Sequence, residues 1–240
     1  MVKKNAIILC SGGLDSSVAA YYVKKKLRYD NIIALFFNYG QRTLQGERKA
    51  AKKITRKLKA KFKEIKLSEL AEISTSLINK KAKAKRVRRR ELRNAKKESE
   101  RYYVPCRNIV FLIHSLALSD SLQIKKKQIW DIFTGFKCEG KEAYPDTTKE
   151  FVDEMNKLKS IATNIEGKIV VPLIKLDKDE IILLGKKLNV DFKDTHSCYI
   201  SNKHCGYCLS CRLRQEAFYW ANIKDPTKYK EKMRDYREAK

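Results

Sequence analysis

A doubly wound α/β fold around a five-stranded parallel sheet is what this sequence predicts, on three observations. Five short apolar runs read as buried strands, at 6–10, 31–38, 62–67, 128–134 and 168–174. Amphipathic helical patterns separate them, and strands alternating with helices imply a parallel sheet covered on both faces. The 240 residues, 43% of them hydrophobic, suffice for one such domain with a small appendage.

The first run, Ala6 to Cys10, breaks into the turn Ser11-Gly12-Gly13-Leu14-Asp15-Ser16-Ser17. A helical pattern with Val18, Tyr22 and Val23 begins at once. After the second run a helix is expected from about 44 to 61, where Ala50, Ile54 and Leu58 recur four apart. Another follows Asn108 through "IVFLIHSLALSDSL", and a third carries Phe151, Met155, Leu158 and Ala162. Asp177 followed by Glu180 forms a capping-box signature before "EIILLGKKL". In open sheets of this kind, ligands bind beyond the carboxyl ends of the strands, where the strand order reverses. The glycine turn stands at such an end.

Charge is the compositional outlier, with 54 Lys+Arg against 28 Asp+Glu and a net of +26. A dense, balanced surface of thermophile type would carry nearly as many acids, so the excess points to an anionic partner. Residues 80–101 hold twelve Lys/Arg against three Glu, net +9, and read as a helical arm or a disordered loop. That stretch is either a solvated insertion or a nucleic-acid contact, and it has no aromatic residue for base stacking. The first apolar run is too short for a signal peptide, and no stretch reaches the roughly 20 apolar residues of a membrane span. The expectation is a soluble, intracellular (cytoplasmic) protein with no membrane partner.

The glycine turn fits an anion-binding role. Backbone N–H groups at a helix N-terminus, with the positive end of the helix dipole, make a site for phosphate. Ordinary strand-to-helix turns also use Ser, Gly and Asp. Here, though, the whole string follows a buried strand and opens a helix, as phosphate binding requires. The turn is neither a Walker A loop, which needs a lysine, nor a GxGxxG fingerprint.

Four of the seven cysteines, Cys198, Cys205, Cys208 and Cys211, fall in one window with spacing C-x6-C-x2-C-x2-C. Such spacing suits a closed tetrahedral zinc site, with Gly206 easing one turn. An iron–sulfur cluster is the competitor, although the Cys-Pro that usually closes a ferredoxin run is absent. His196 and His204 flank the site as neighbours rather than ligands. Cys106 and Cys138 read as small buried hydrophobes.

"SGGLDSS" resembles the PP-loop, S-G-G-x-D-S-[ST], of the ATP pyrophosphatases, whose members cleave ATP between the α- and β-phosphates and adenylate an oxygen. Further blocks run nearly end to end: "FNYGQR", "VPCRNIVFL", "AYPDTTKEFVDEMN", "VPLIKLDKDEI" and "SCY…CGYCLSCRLRQEAF". Together they resemble the 7-cyano-7-deazaguanine synthase family within that superfamily. The chain departs from the family's D-[YF]-S-G-Y-P-D-C-R at "GKEAYPDTT", in the 138–148 segment, and in the basic insertion.

The resemblance implies an adenine-nucleotide alpha-hydrolase-like domain over 1–194 and a zinc-binding, helical C-terminal segment over 195–240. It implies an AMP-forming carbon–nitrogen ligase that joins 7-carboxy-7-deazaguanine and ammonia by two adenylations, with ATP, Mg²⁺ and Zn²⁺ and, as in many family members, a homodimer. Leu9, Cys10, Ser11, Gly12, Gly13, Leu14, Asp15, Ser16, Ser17, Val18 and Ala19 would hold ATP. Asp15, Arg107 and Lys178 would serve catalysis. Gln41 and Arg42 would contact phosphate or substrate, and Arg107 and Asn108 the deazapurine or its activated carboxyl group, although strand-end polarity and a good helix start explain the same residues. The rival reading is a PP-loop enzyme that modifies tRNA directly.

Overall fold

The computed structural model describes residues 3–137 and 144–231. The sheet is built from β1 (Asn5–Leu9), β2 (Asn31–Asn38), β3 (Lys61–Lys66), β4 (Trp130–Phe133) and β5 (Ile169–Val170). Its order is β3-β2-β1-β4-β5 and every pairing is parallel. The chain therefore builds outward on one side of β1, then returns to build on the other. The reversal lies between β1 and β4, with Ile7 opposite Ile33 on one side and Ile132 on the other.

The helices are α1 (Leu14–Tyr21), α2 (Leu44–Lys57), α3 (Glu69–Ile73), α4 (Lys96–Glu100), α5 (Arg107–Lys126), α6 (Lys149–Ala162), α7 (Lys178–Lys187) and α8 (Leu209–Trp220). Strand periodicity separates two cores. Ala6, Ile8 and Cys10 join Val18, Ile54, Ile181 and Phe218 of α1, α2, α7 and α8 on one face. Ile7 and Leu9 join Leu112, Leu116, Val152 and Met155 of α5 and α6 on the other. Both faces of β1 are thus dry, which is why its sequence is continuously apolar rather than alternating. Each buried Ile or Leu contributes about 1.5–3 kcal/mol. Ala217 and Phe218 of the C-terminal segment belong to the first of these cores.

Several boundaries differ from the sequence expectation. The run 168–174 pairs only at Ile169–Val170, because Pro172 has no N–H for the ladder and the chain turns there. The first helix widens into a π turn over Tyr22–Lys26, closed by the Leu27 amide donating to the Tyr22 carbonyl at 3.1 Å. The second stops at Lys57, and Lys59 takes a left-handed φ of 52° that delivers the chain to β3. In α6 the buried stripe is Val152, Met155 and Lys159, while Leu158 and Ala162 face outward. The Lys159 ammonium donates to the Ile165 and Gly167 carbonyls at 2.9 Å each, so a lysine occupies the core-facing position. The capping box at Asp177 and Glu180 forms as expected, with the Asp177 amide donating to Glu180 at 2.8 Å.

The basic insertion is neither a helical arm nor a disordered loop. It runs without helix or strand to Arg88, makes one 3₁₀ segment over Arg89–Asn94 and continues into α4. Val87 and Ala95 are buried in the second core, and Arg89 pairs with Glu216 of α8 at 3.0 Å. Two inward apolar residues and an ion pair anchor a segment whose composition alone reads as solvated.

Candidate active site

The amide of Cys10 extends the β1–β2 ladder by donating to the Leu35 carbonyl at 2.9 Å, after which the chain leaves the sheet. Gly12 has φ +76°, and a Cβ there would stand 2.6 Å from the Ala51 amide nitrogen and 2.7 Å from the Glu47 carbonyl. Only glycine fits this close approach of the loop to α2. Gly13 then caps α1. Its carbonyl accepts from the Ser17 amide at 3.0 Å and the Ser17 hydroxyl at 2.6 Å, while its amide donates to the Ser11 hydroxyl at 3.2 Å. Helix geometry leaves the amides of Leu14, Asp15 and Ser16 with no acceptor in their own helix. They open at the carboxyl edge of β1, beside the Ser11 and Ser16 hydroxyls, which lie 3.0 Å apart. Free amides and hydroxyls at the positive end of a helix dipole have the geometry of an anion cradle.

The cradle forms one wall of a cleft of about 240 Å³ at the reversal between β1 and β4. Lys178, from the first turn of α7, reaches in and pairs with Asp15 at 3.0 Å. The other Asp15 oxygen, Oδ1, is buried and has no hydrogen-bond partner among the described residues. Arg107 and Asn108, at the start of α5, line the far side. The Arg107 guanidinium lies 5.7 Å from the Tyr39 ring centre. Burial favours the neutral form of Arg107, but Tyr39, Tyr199 and Asp146 outweigh it and hold the cation firmly. Asn108 is braced by Asp146, whose carbonyl accepts from its side chain at 3.3 Å. Between these polar groups lies an aromatic wall in which Phe37 and Phe111 stack 4.0 Å apart at 5°, with Tyr39 5.4 Å from Phe111 at an angle.

Not every residue singled out in the sequence faces this cleft. Of the residues assigned to ATP, Leu9, Cys10, Ser11, Gly13, Leu14, Asp15 and Ser16 line it. Gly12 shapes the turn, while Ser17, Val18 and Ala19 are fully buried behind it. Gln41 is buried in a local network, accepting from the Tyr39 amide at 2.9 Å and donating to the Phe37 carbonyl at 2.9 Å and to Glu47 at 3.1 Å. Arg42 donates to the carbonyls of Lys80 at 3.2 Å and Ala82 at 3.0 Å, so it staples the start of the basic insertion. Cys106 is exposed rather than buried: it precedes α5 in a left-handed conformation with φ +52°. Cys138 and residues 140–143 lie outside the described residues.

Across the loop from the cradle, four sulfurs converge. The Cys198, Cys205, Cys208 and Cys211 sulfurs all lie within 4.8 Å of one another and are buried. Cys198 and Cys208 are 3.9 Å apart, as are Cys205 and Cys211. A tetrahedron with Zn–S bonds of about 2.3 Å has edges of about 3.8 Å, so the donor set fits one closed metal site. The amides of Tyr207 and Cys208 donate to the Cys205 sulfur at 3.5 and 3.3 Å, which favours the thiolate. Gly206 makes the turn with φ +90°. The two histidines stand beside the cluster: His196 Nε2 is 3.1 Å from the Cys198 carbonyl oxygen, and His204 Nε2 accepts from the Ser197 amide at 3.0 Å.

A family model described as queuosine biosynthesis protein QueC matches residues 5–222. The chain belongs to the QueC family. It is 34% identical to the 7-cyano-7-deazaguanine synthase of Methanococcus aeolicus, over 93% of this chain and 98% of that protein. It is 34% identical to the one from Pyrococcus furiosus, over 95% and 98%, and 37% to the one from Methanospirillum hungatei, over 94% and 99%. Among solved structures, the U34-tRNA thiolase NcsA from Methanococcus maripaludis with its [4Fe-4S] cluster aligns at TM-score 0.43 and 18% identity. That alignment covers 90% of this chain and 64% of NcsA, a likeness too distant to bear on the chemistry.

In this QueC family member, the polar ends of the cleft were legible as local motifs and the wall between them was not. Phe37, Tyr39, Phe111, Phe136 and Tyr199 come from four segments; all but Phe136 stand in the blocks quoted above, yet nothing local marks them as parts of one wall. Glu47, which lines the cleft and accepts from Thr43 at 2.5 Å, reads as a helix-start acid. Their common signal is position alone: each lies at or near the carboxyl end of a strand or in the segment that follows.

Proposed function

We propose that this chain is an AMP-forming carbon–nitrogen ligase that makes 7-cyano-7-deazaguanine from 7-carboxy-7-deazaguanine, ammonia and ATP. The observation that carries the reading is one cleft, in a QueC family chain, that joins an anion cradle, a Lys–Asp pair and an aromatic wall. A carboxylate oxygen is a poor leaving group, and transfer of AMP to it makes it a good one. Ammonia then displaces AMP to give the carboxamide. A second adenylation, on the amide oxygen, lets that oxygen leave with AMP as two protons are lost, and the nitrile remains. The carbon keeps its oxidation level, so no redox cofactor is required.

The residues divide this work. The amides of Leu14, Asp15 and Ser16, with the Ser11 and Ser16 hydroxyls, hold the pyrophosphate end of ATP. Lys178 supplies a cation to the phosphates, and Asp15 fixes its ammonium. The unpartnered Asp15 oxygen is a hard donor of the kind Mg²⁺ takes, and that ion would neutralise phosphate charge. Arg107 and Asn108 orient the carboxyl group, and the aromatic wall receives the flat deazapurine. Zinc is the structural metal of the four thiolates. A cytoplasmic location and a homodimer belong to the same proposal and rest on the family; no described helix is long and apolar enough to cross a membrane. The tRNA-modifying alternative is not favoured: the curated relatives are named as synthases of a free base, and the basic insertion packs on α8.

The test is mass spectrometry of the purified protein with 7-carboxy-7-deazaguanine, ATP, Mg²⁺ and an ammonium salt. The nitrile should appear with two AMP per product. Formation of ADP and orthophosphate, or of no nitrile, refutes the proposal.

A further inference from the structure

We propose that Arg214 is a positioning residue that transmits the order of the four-cysteine module to the phosphate loop, so that nucleotide affinity depends on that module. The inference rests on the proposed use of the loop for ATP.

Arg214 lies on α8, three residues beyond Cys211, and its side chain is completely buried. A buried guanidinium is costly unless its donors are matched. This one donates from Nη1 to the Thr195 hydroxyl at 2.7 Å and the Ser197 hydroxyl at 3.0 Å, and from Nη2 to the Phe192 carbonyl at 3.0 Å. Its Nε lies 3.5 Å from Asp225. Three of its partners therefore lie on one short segment, 192–197, which leads directly into Cys198.

That segment is the outer wall of the phosphate loop. The His196 amide donates to the Gly12 carbonyl at 2.8 Å, and the His196 carbonyl lies 3.8 Å from where a Cβ on Gly13 would stand. On its other side the loop rests on α2 without room for a methyl group at Gly12. The cradle is thus clamped between α2 and residues 195–197. The clamp's outer jaw is set by Arg214, whose helix begins at two of the four thiolates, Cys208 and Cys211. Arg214 thus links the metal end to the loop beside the direct chain step from Ser197 to Cys198 and the Ser197–His204 hydrogen bond, and such shared contacts are how coupling between sites arises. Nothing in the composition suggests it, because Arg214 is one of 54 basic residues.

The test measures ATP binding by titration calorimetry on wild type, Arg214→Met and Arg214→Lys, each with metal content and thermal melting. Ser197→Ala and Thr195→Val remove the acceptors and keep the guanidinium, in case the arginine variants fail to fold. Arg214→Met should keep its metal and melt cooperatively yet bind ATP about tenfold more weakly, the loss of one well-placed hydrogen bond. Arg214→Lys should recover part of this. In turnover, KM for ATP should rise while KM for the deazapurine stays put. Stripping the metal from wild type should weaken ATP binding, and stripping it from Arg214→Met should add little further. Unchanged ATP affinity in metal-replete Arg214→Met and both acceptor variants overturns this role alone. Fully additive effects of metal removal and Arg214→Met also overturn it. Absence of ATP binding in wild type overturns the functional reading and this role with it.

Discussion

Replacing Gly12 by alanine tests the origin of the anion cradle, and the structure sets the size of the effect. At φ +76° an L-residue incurs about 1–2 kcal/mol of backbone strain. The added methyl group would meet the Ala51 nitrogen at 2.6 Å, the Glu47 carbonyl at 2.7 Å and the Ala50 Cβ at 2.8 Å. Two of these are backbone atoms of α2, which is anchored through Ala51 and Ile54, so no side chain can swing aside. Overpacking of this kind costs about 1–3 kcal/mol. Together the terms give about 3 kcal/mol, or a melting temperature lower by roughly 6–12 °C for a chain of this size. Relief would come from the loop lifting off α2, so the cradle should lose ATP as well. Gly13→Ala is the control: its φ is −67° and its Cβ would meet one side-chain atom, the Ser11 hydroxyl, at 3.2 Å, with the next atom at 3.8 Å. Differential scanning calorimetry with ATP titration reads both effects. If Gly12→Ala melts with wild type, or if both variants lose stability equally, the close-approach argument is wrong.

Three further outcomes follow from the same geometry. Cys208→Ser should reduce bound metal from about one equivalent per chain to near zero, read by elemental analysis, and loss of that metal should loosen the start of α8, which Cys208 immediately precedes. Alkylation at pH 8, mapped by peptide mass, should label Cys106 quickly and Cys10 hardly at all. Burial pushes the Cys10 thiol up to about 11, leaving about one molecule in a thousand as thiolate. For Asp194, burial works to raise the pKa, but Lys53 at 2.7 Å and Lys57 at 2.7 Å outweigh it and hold the carboxyl below its ordinary value. Its contribution is then fully present above the unfolded value of about 3.9 and fades as pH falls through the lower folded value. Asp194→Asn should therefore lower the melting temperature near neutrality and flatten the acid limb of its pH profile below about pH 4.

How much was legible divides along a physical line. The glycine turn, the capping box at Asp177 and the cysteine window are local: each is a few consecutive residues whose chemistry has one good arrangement. The strand runs were legible for a related reason, since a strand dry on both faces must be apolar throughout. The edge strand β5 was overestimated because an apolar run does not reveal that Pro172 ends the ladder. The basic insertion misled because twelve cations hide two residues, Val87 and Ala95, that dock the segment. Gln41 and Arg42 stood in a block with a specific pattern, yet their side chains serve the strand end and the insertion rather than the cleft.

By itself the sequence determined the layered α/β architecture, the phosphate-type turn, the four-thiolate site and the family. Only the tertiary structure decided that Lys178 meets Asp15 across 163 positions, that aromatic residues from four segments form one wall, and that Arg214 braces the loop beside Gly12. The reason is range. Turns, caps and metal spacings are written in neighbouring residues, whereas an ion pair or a shared wall depends on which strand ends the sheet order brings together. In this sheet that order places β1 between β2 and β4.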